Sequence, residues 1–151
     1  MSTSLTTAQE LLAVLPLFNR IMAVELRQET GDDTTMPQFR VLTYLAEAPL
    51  TMSDIARKRH VSFQSAGELV QALVERGWVI RMPDPSDRRQ SLLHLTEVGF
   101  AQYKQVQHHM LERLTSFMDQ LDEDEKTTIQ QALQSLHRVL VDEVIEHVEG
   151  N

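Results

Sequence analysis

Between Thr51 and Leu95 the chain is punctuated in an order that few folds can accommodate. Thr51-Met52-Ser53-Asp54 places a hydroxyl three residues before an acid, the reciprocal capping pattern that opens a helix. The short segment it starts runs through Ile55 and Ala56 to about Lys58, with His60-Val61 as the turn. Ser62 is then placed to cap a second helix, whose Ala66, Leu69, Val70 and Leu73 share one face. Gly77 follows, the residue that most readily takes the left-handed conformation ending a helix. Trp78-Val79-Ile80-Arg81-Met82 and Ser91-Leu92-Leu93-His94-Leu95 are runs of β-formers around the polar tip Pro83 to Gln90, and they predict a hairpin.

A capped short helix, a tight turn, a second helix ending in Gly and a two-stranded hairpin together make the winged form of the helix-turn-helix. The flanks predict long helices. From Leu11, apolar positions 11, 14, 15, 18, 21 and 22 keep helical spacing, with Pro16 expected to kink the helix or restart it and Gly31-Asp32-Asp33 to end it. Thr35-Met36-Pro37-Gln38 opens another helix, which stops before Pro49. Thr96 caps a long helix with apolar positions 103, 106, 110, 114, 117 and 121. Asp122-Glu123-Asp124-Glu125 starts the last one, striped by Ile129, Leu133, Leu136, Leu140, Val144 and Val148. Such narrow stripes would leave too much apolar surface bare on a single copy, so a homodimer is expected. The expected class is mainly α with a small β-hairpin wing: a dimerisation region at 1–34, a winged lobe at 35–99 and dimerisation helices at 100–151.

Charge and composition narrow the function. The 151 residues carry 14 basic and 22 acidic side chains, a formal net charge of -8, which by itself opposes binding to a phosphate backbone. The charge is uneven, however: residues 1–50 sum to -3, residues 51–95 to +2 and residues 96–151 to -7. The basic residues of the middle third cluster as Arg57-Lys58-Arg59 and Arg88-Arg89, which gives a local cationic face. The 42% hydrophobic content is that of an ordinary globular chain. The absence of cysteine excludes disulfides and thiol chemistry. Leu11 to Phe18 is far too short to span a bilayer, and Met1 to Glu10 lacks a basic residue, so no membrane association and a cytoplasmic location are expected. No nucleophile elbow, Gly-rich phosphate loop or His-Glu-x-x-His motif is present, so no enzyme is expected.

Several ordered segments resemble the MarR-type transcriptional regulators: Met36-Pro37-Gln38-Phe39-Arg40-Val41-Leu42, Ser53-Asp54-Ile55-Ala56, Leu73-Val74-Glu75-Arg76-Gly77, Asp84-Pro85-Ser86-Asp87-Arg88-Arg89 and Leu95-Thr96-Glu97-Val98-Gly99. The resemblance runs from about Leu11 to Val148. It implies a dimeric, sequence-specific double-stranded-DNA-binding regulator, a repressor released by a small aromatic or phenolic effector, with no other cofactor. It also places Arg89 in the minor groove, Asp87 as the acid orienting it and Arg88 on phosphate.

On the second helix of the motif, Ser62, Gln64, Ser65, Glu68 and Gln71 are the candidates to meet base edges; a Gln can pair bidentately with adenine, whereas Glu68 can only accept. The family often carries a basic residue near Glu68, so this chain departs from the pattern there. Arg57, Lys58 and Arg59 are placed to reach phosphates. Phe18, Met22, Tyr44 and Met110, with Phe39 and Phe117, are candidates to line an effector pocket, and equally ordinary core. His108, His109 and Glu112 suggest a metal, but no third ligand is evident and no metal is expected. The competing reading is a dimeric winged-helix module that binds a protein partner.

Overall fold

Every helix in the described residues starts where a side-chain oxygen is available to take an otherwise unpaired backbone N–H. The computed structural model describes residues 2–31 and 34–149, the side chains of 142–149 excepted. Ser2 caps α1 (Thr3–Thr30), accepting from the Leu5 N–H at 3.3 Å. Thr35 and Gln38 form the expected reciprocal box at α2 (Met36–Glu47), and Thr51 and Asp54 form another at α3 (Met52–Arg59). Ser62 caps α4 (Phe63–Glu75) and Thr96 caps α5 (Glu97–Met118). Asp122 and Glu125 exchange backbone and carboxylate bonds at 2.8 and 2.9 Å at the start of α6 (Glu123–Glu149).

Four expectations need correction. Helix α1 starts at Thr3 rather than near Leu11, because Ser2 supplies a cap that apolar spacing does not reveal. Pro16 lies inside this helix, which does not restart there. The carbonyl it leaves unpaired belongs to Leu12, 70% exposed, where water can replace the lost bond. The sheet has three strands, not two: β1 (Leu50–Thr51) pairs antiparallel with β3 (Ser91–Leu95), which pairs with β2 (Val79–Pro83), in the order β1-β3-β2. A two-residue strand is too short to show any alternation. Finally, β2 is shifted by one residue, leaving Trp78 in the turn where its N–H reaches the Leu73 carbonyl.

The turns are as local chemistry requires. His60 takes a left-handed φ of 51° between α3 and α4. Gly77, at φ 75°, sends its N–H back to the Val74 carbonyl and ends α4. One core joins the elements: Met22 and Leu26 of α1, Phe39, Val41, Leu42 and Leu45 of α2, Ile55 of α3, Ala66, Val70 and Leu73 of α4, Val79 and Leu93 of the sheet, and Val106 and Met110 of α5. Leu69, expected inside, is partly buried. Helix α1 packs along α5.

The α5 start is fixed by contact with the turn before β2. The Thr96 N–H bonds the Trp78 carbonyl at 3.0 Å and its hydroxyl donates to the Gly77 carbonyl at 2.6 Å. A Cβ at Gly99 would lie 2.0 Å from the Trp78 carbonyl oxygen, so only glycine fits. In α5, Leu121 of the expected stripe falls beyond the helix end. In α6, Leu133 and Leu140 are exposed and Ile129 and Leu136 half-buried, while Val144 and Val148 lie outside the described side chains.

Candidate nucleic-acid interface

The first turn of α4 is built around Ser62. Its Oγ accepts from the Ser65 N–H at 3.1 Å and donates to the Ser65 Oγ at 3.0 Å. Capping therefore uses most of the Ser62 hydroxyl, while the Ser65 proton stays free to donate outward. Gln64 and Glu68 are exposed on the same helix. Gln71 is committed at both ends: its Nε2 donates to Glu75 Oε1 at 3.2 Å and its Oε1 accepts from Arg81 Nη2 at 3.0 Å. That chain braces β2 against α4, and Arg81 is its unanticipated member. Gly67 has nothing within 4 Å of where a Cβ would sit, so no protein backbone approaches it.

The basic run ending α3 splits three ways. Arg57 pairs with Asp54 at 2.9 Å, and the Lys58 ammonium lies 5.5 Å from the centre of the Tyr44 ring. Arg59 keeps a buried Nε with no hydrogen-bond partner among the described residues. With Glu68 it lines a shallow cavity of about 450 Å³ between α2 and α4. Burial of Asp54 works to raise its pKa, but hydrogen bonding with Thr51 and the charge of Arg57 outweigh it and hold the carboxyl below its ordinary range.

The wing tip is closed rather than loose. Buried Asp84 accepts from the Ser86 N–H at 2.9 Å and from Gln90 Nε2 at 3.0 Å, and the backbones of Asp84 and Gln90 bond across the base of the loop. Both lie in the polar tip read from sequence without a closing role, although Asp before Pro-Ser is a turn signal of this kind. On this frame Asp87 grips Arg89 through three bonds, Nε to Oδ1 at 3.0 Å, Nη2 to Oδ2 at 3.1 Å and backbone N–H to Oδ1 at 3.0 Å. The guanidinium is thereby aimed in one direction while the side chain stays 91% exposed. Its hydrogen bonds lower the Asp87 pKa, with the Arg89 backbone N–H adding to the effect, and the pairing raises that of Arg89 in return. Arg88 is exposed beside it.

The effector candidates do not converge. Met22 and Met110 line a cleft of about 550 Å³ with Lys104, Gln107, His108, Leu111 and Leu114. Phe18 is exposed, Tyr44 lies under Lys58, Phe39 stacks on Tyr103 in the core and Phe117 lies under Arg113. His108 Nε2 lies 3.3 Å from Glu112 and His109 Nδ1 lies 2.6 Å from Glu29, and no group of three metal-ligating residues gathers among the described residues. No helix of the described residues is long and apolar enough to cross a membrane.

A helix pair leading into the β2–β3 hairpin, whose sheet β1 completes, with long helices on either side, defines a winged helix-turn-helix protein. Residues 32–90 match the MarR family. The chain is 30% identical over 109 residues to the HTH-type transcriptional regulator YfiV of Bacillus subtilis, covering 72% of this chain and 68% of that one. The crystal structure of RV1404 from Mycobacterium tuberculosis superposes with a TM-score of 0.82 at 26% identity, over 92% of this chain and 95% of that one. FabT of Streptococcus pneumoniae, solved in complex with DNA, shares the fold at a TM-score of 0.75 and 21% identity, over 92% and 98% of the two chains. The chain spans about two thirds of the length of the curated relatives it matches. It belongs to the MarR family of transcriptional regulators.

Proposed function

We propose that the chain is a homodimeric, sequence-specific reader of double-stranded DNA that represses transcription until a small aromatic or phenolic effector binds. The observation that carries this reading is the Asp87–Arg89 fork: a largely exposed guanidinium, held by two side-chain bonds at the tip of a closed loop. A narrow minor groove concentrates negative potential and favours such a group. Helix α4 enters the major groove, with Gln64 and the Ser65 hydroxyl towards base edges, while Arg88 meets phosphate. Gln71 braces the wing rather than reading a base. The FabT structure, which shares the fold and was solved in complex with DNA, supports DNA as the partner.

Dimerisation is supported by the apolar side chains left exposed on the long helices, among them Leu12, Leu17, Leu111, Leu133 and Leu140. A two-fold dimer would read a pseudo-palindrome with half-sites about one helical turn, roughly 34–36 Å, apart. The cleft holding Met22 and Met110 is the seat proposed for the effector. Anisotropy titration of Arg89→Ala against a bound duplex tests the reading. The variant should bind more weakly and lower the salt slope by about 1. Unchanged affinity and slope would favour a winged module that binds protein instead.

A further inference from the structure

We propose that Phe63 is a specificity-determining residue of this interface and that it reads the 5-methyl group of thymine in the major groove. The inference rests on the DNA-binding reading above and names a base feature within it. Phe63 is the first residue of α4, immediately after the Ser62 cap, and is 64% exposed. The apolar residues further along the helix turn inward: Ala66, Val70 and Leu73 are buried, and Leu69 and Val74 pack against the core. Phe63 makes no such contact. It faces a cleft of about 250 Å³ whose other walls include Ser53 of α3, Arg81 of β2 and Arg89 and Gln90 of the wing.

The surroundings determine the partner. Met52 and Leu93 also line the cleft, but two guanidinium groups and several polar side chains share its walls with the ring, within the only net-positive third of the chain. The two cationic groups favour a polyanion over a wholly apolar surface or a lipid tail. The first turn of the second helix of this motif is the part that reaches base edges. In the major groove the only apolar group a base pair offers is the thymine methyl, and phenylalanine is among the side chains that meet it. A neighbouring phosphate would instead choose the arginines, so the ring is left for the methyl.

The experiment uses the duplex the protein selects from a random pool, with each thymine replaced in turn by uracil, which deletes only the methyl. Wild-type protein should lose about fourfold in affinity at one thymine of a half-site, the value of one buried methylene-sized group, and about fifteenfold when both half-sites are changed. Phe63→Ala should lose a similar factor on the natural duplex and be indifferent to that uracil; Phe63→Leu should recover part of the discrimination. A thermal midpoint unchanged from wild type shows that the exposed position leaves folding intact. The proposal is overturned if Phe63→Ala keeps the wild-type uracil penalty, or if it weakens all duplexes equally, as a backbone contact would. If wild-type protein selects no duplex at all, the DNA-binding reading itself has failed, and that outcome is distinct from both.

Discussion

Arg89 combines two properties that usually oppose each other, near-complete exposure and a fixed direction. An exposed ion pair contributes little to stability, so the value of Asp87 lies in where it points the guanidinium. This sets up a test in which simple electrostatics and orientation disagree. Removing an acid near DNA should tighten binding if charge alone mattered; the orienting role predicts that Asp87→Ala binds several-fold more weakly, with a near-normal salt slope, in anisotropy titrations. The pH dependence follows from the direction of the shift. The Asp87 and Asp54 carboxyls sit below their ordinary value of 3.8. Their contributions are therefore complete above the unfolded value near 4 and fade as pH falls through the lower folded one. Between pH 5 and 8 neither should alter binding or folding, and carboxyl NMR titration of Asp87 should give a midpoint below 3.8. A midpoint above it would mean the grip is absent in solution.

Elements joined at short range were legible in the sequence, because their signals are local. The capping boxes Thr35/Gln38 and Thr51/Asp54, the Ser62 and Thr96 caps and the Gly77 stop each use partners at most a few residues apart. What depended on partners far along the chain was not legible. The strand at Leu50–Thr51 exists because Leu93 and Leu92 lie beside it. The commitment of Gln71 depends on Arg81, ten residues on, and Pro16 is tolerated because its turn faces solvent. The need for glycine at position 99 belongs to this second kind, since the Trp78 carbonyl of the preceding turn imposes it. Gly99→Ala should destabilise the fold by about 1–3 kcal/mol, through backbone shifts at the wing–helix joint. Urea unfolding checks this, and an unchanged midpoint would mean the joint is loose. Of the candidate site, the wing residues were readable as a motif, whereas Phe63 was missed because an isolated aromatic in a helix start carries no pattern of its own.

On the scale of the whole molecule, charge and apolar surface are segregated. The positive third forms the winged lobe, and the acidic, apolar-striped ends form the helices beside it. If the exposed leucines of α6 form the proposed dimer seam, the Leu133→Asp/Leu140→Asp double variant should sediment as a monomer at concentrations where wild type sediments as a dimer. Loss of the dimer should cost most of the DNA affinity even though neither residue lies near the wing, because two half-sites are then no longer bound together. The central claim, that this chain reads DNA through the helix α4 and the Arg88–Arg89 wing tip, is tested most directly by selecting duplexes from a random pool with wild-type and Arg88→Ala/Arg89→Ala protein. The account predicts that wild type enriches a two-fold symmetric sequence and the variant does not. Failure of the folded wild-type dimer to enrich any sequence at low salt, or equal enrichment by the variant, would contradict it.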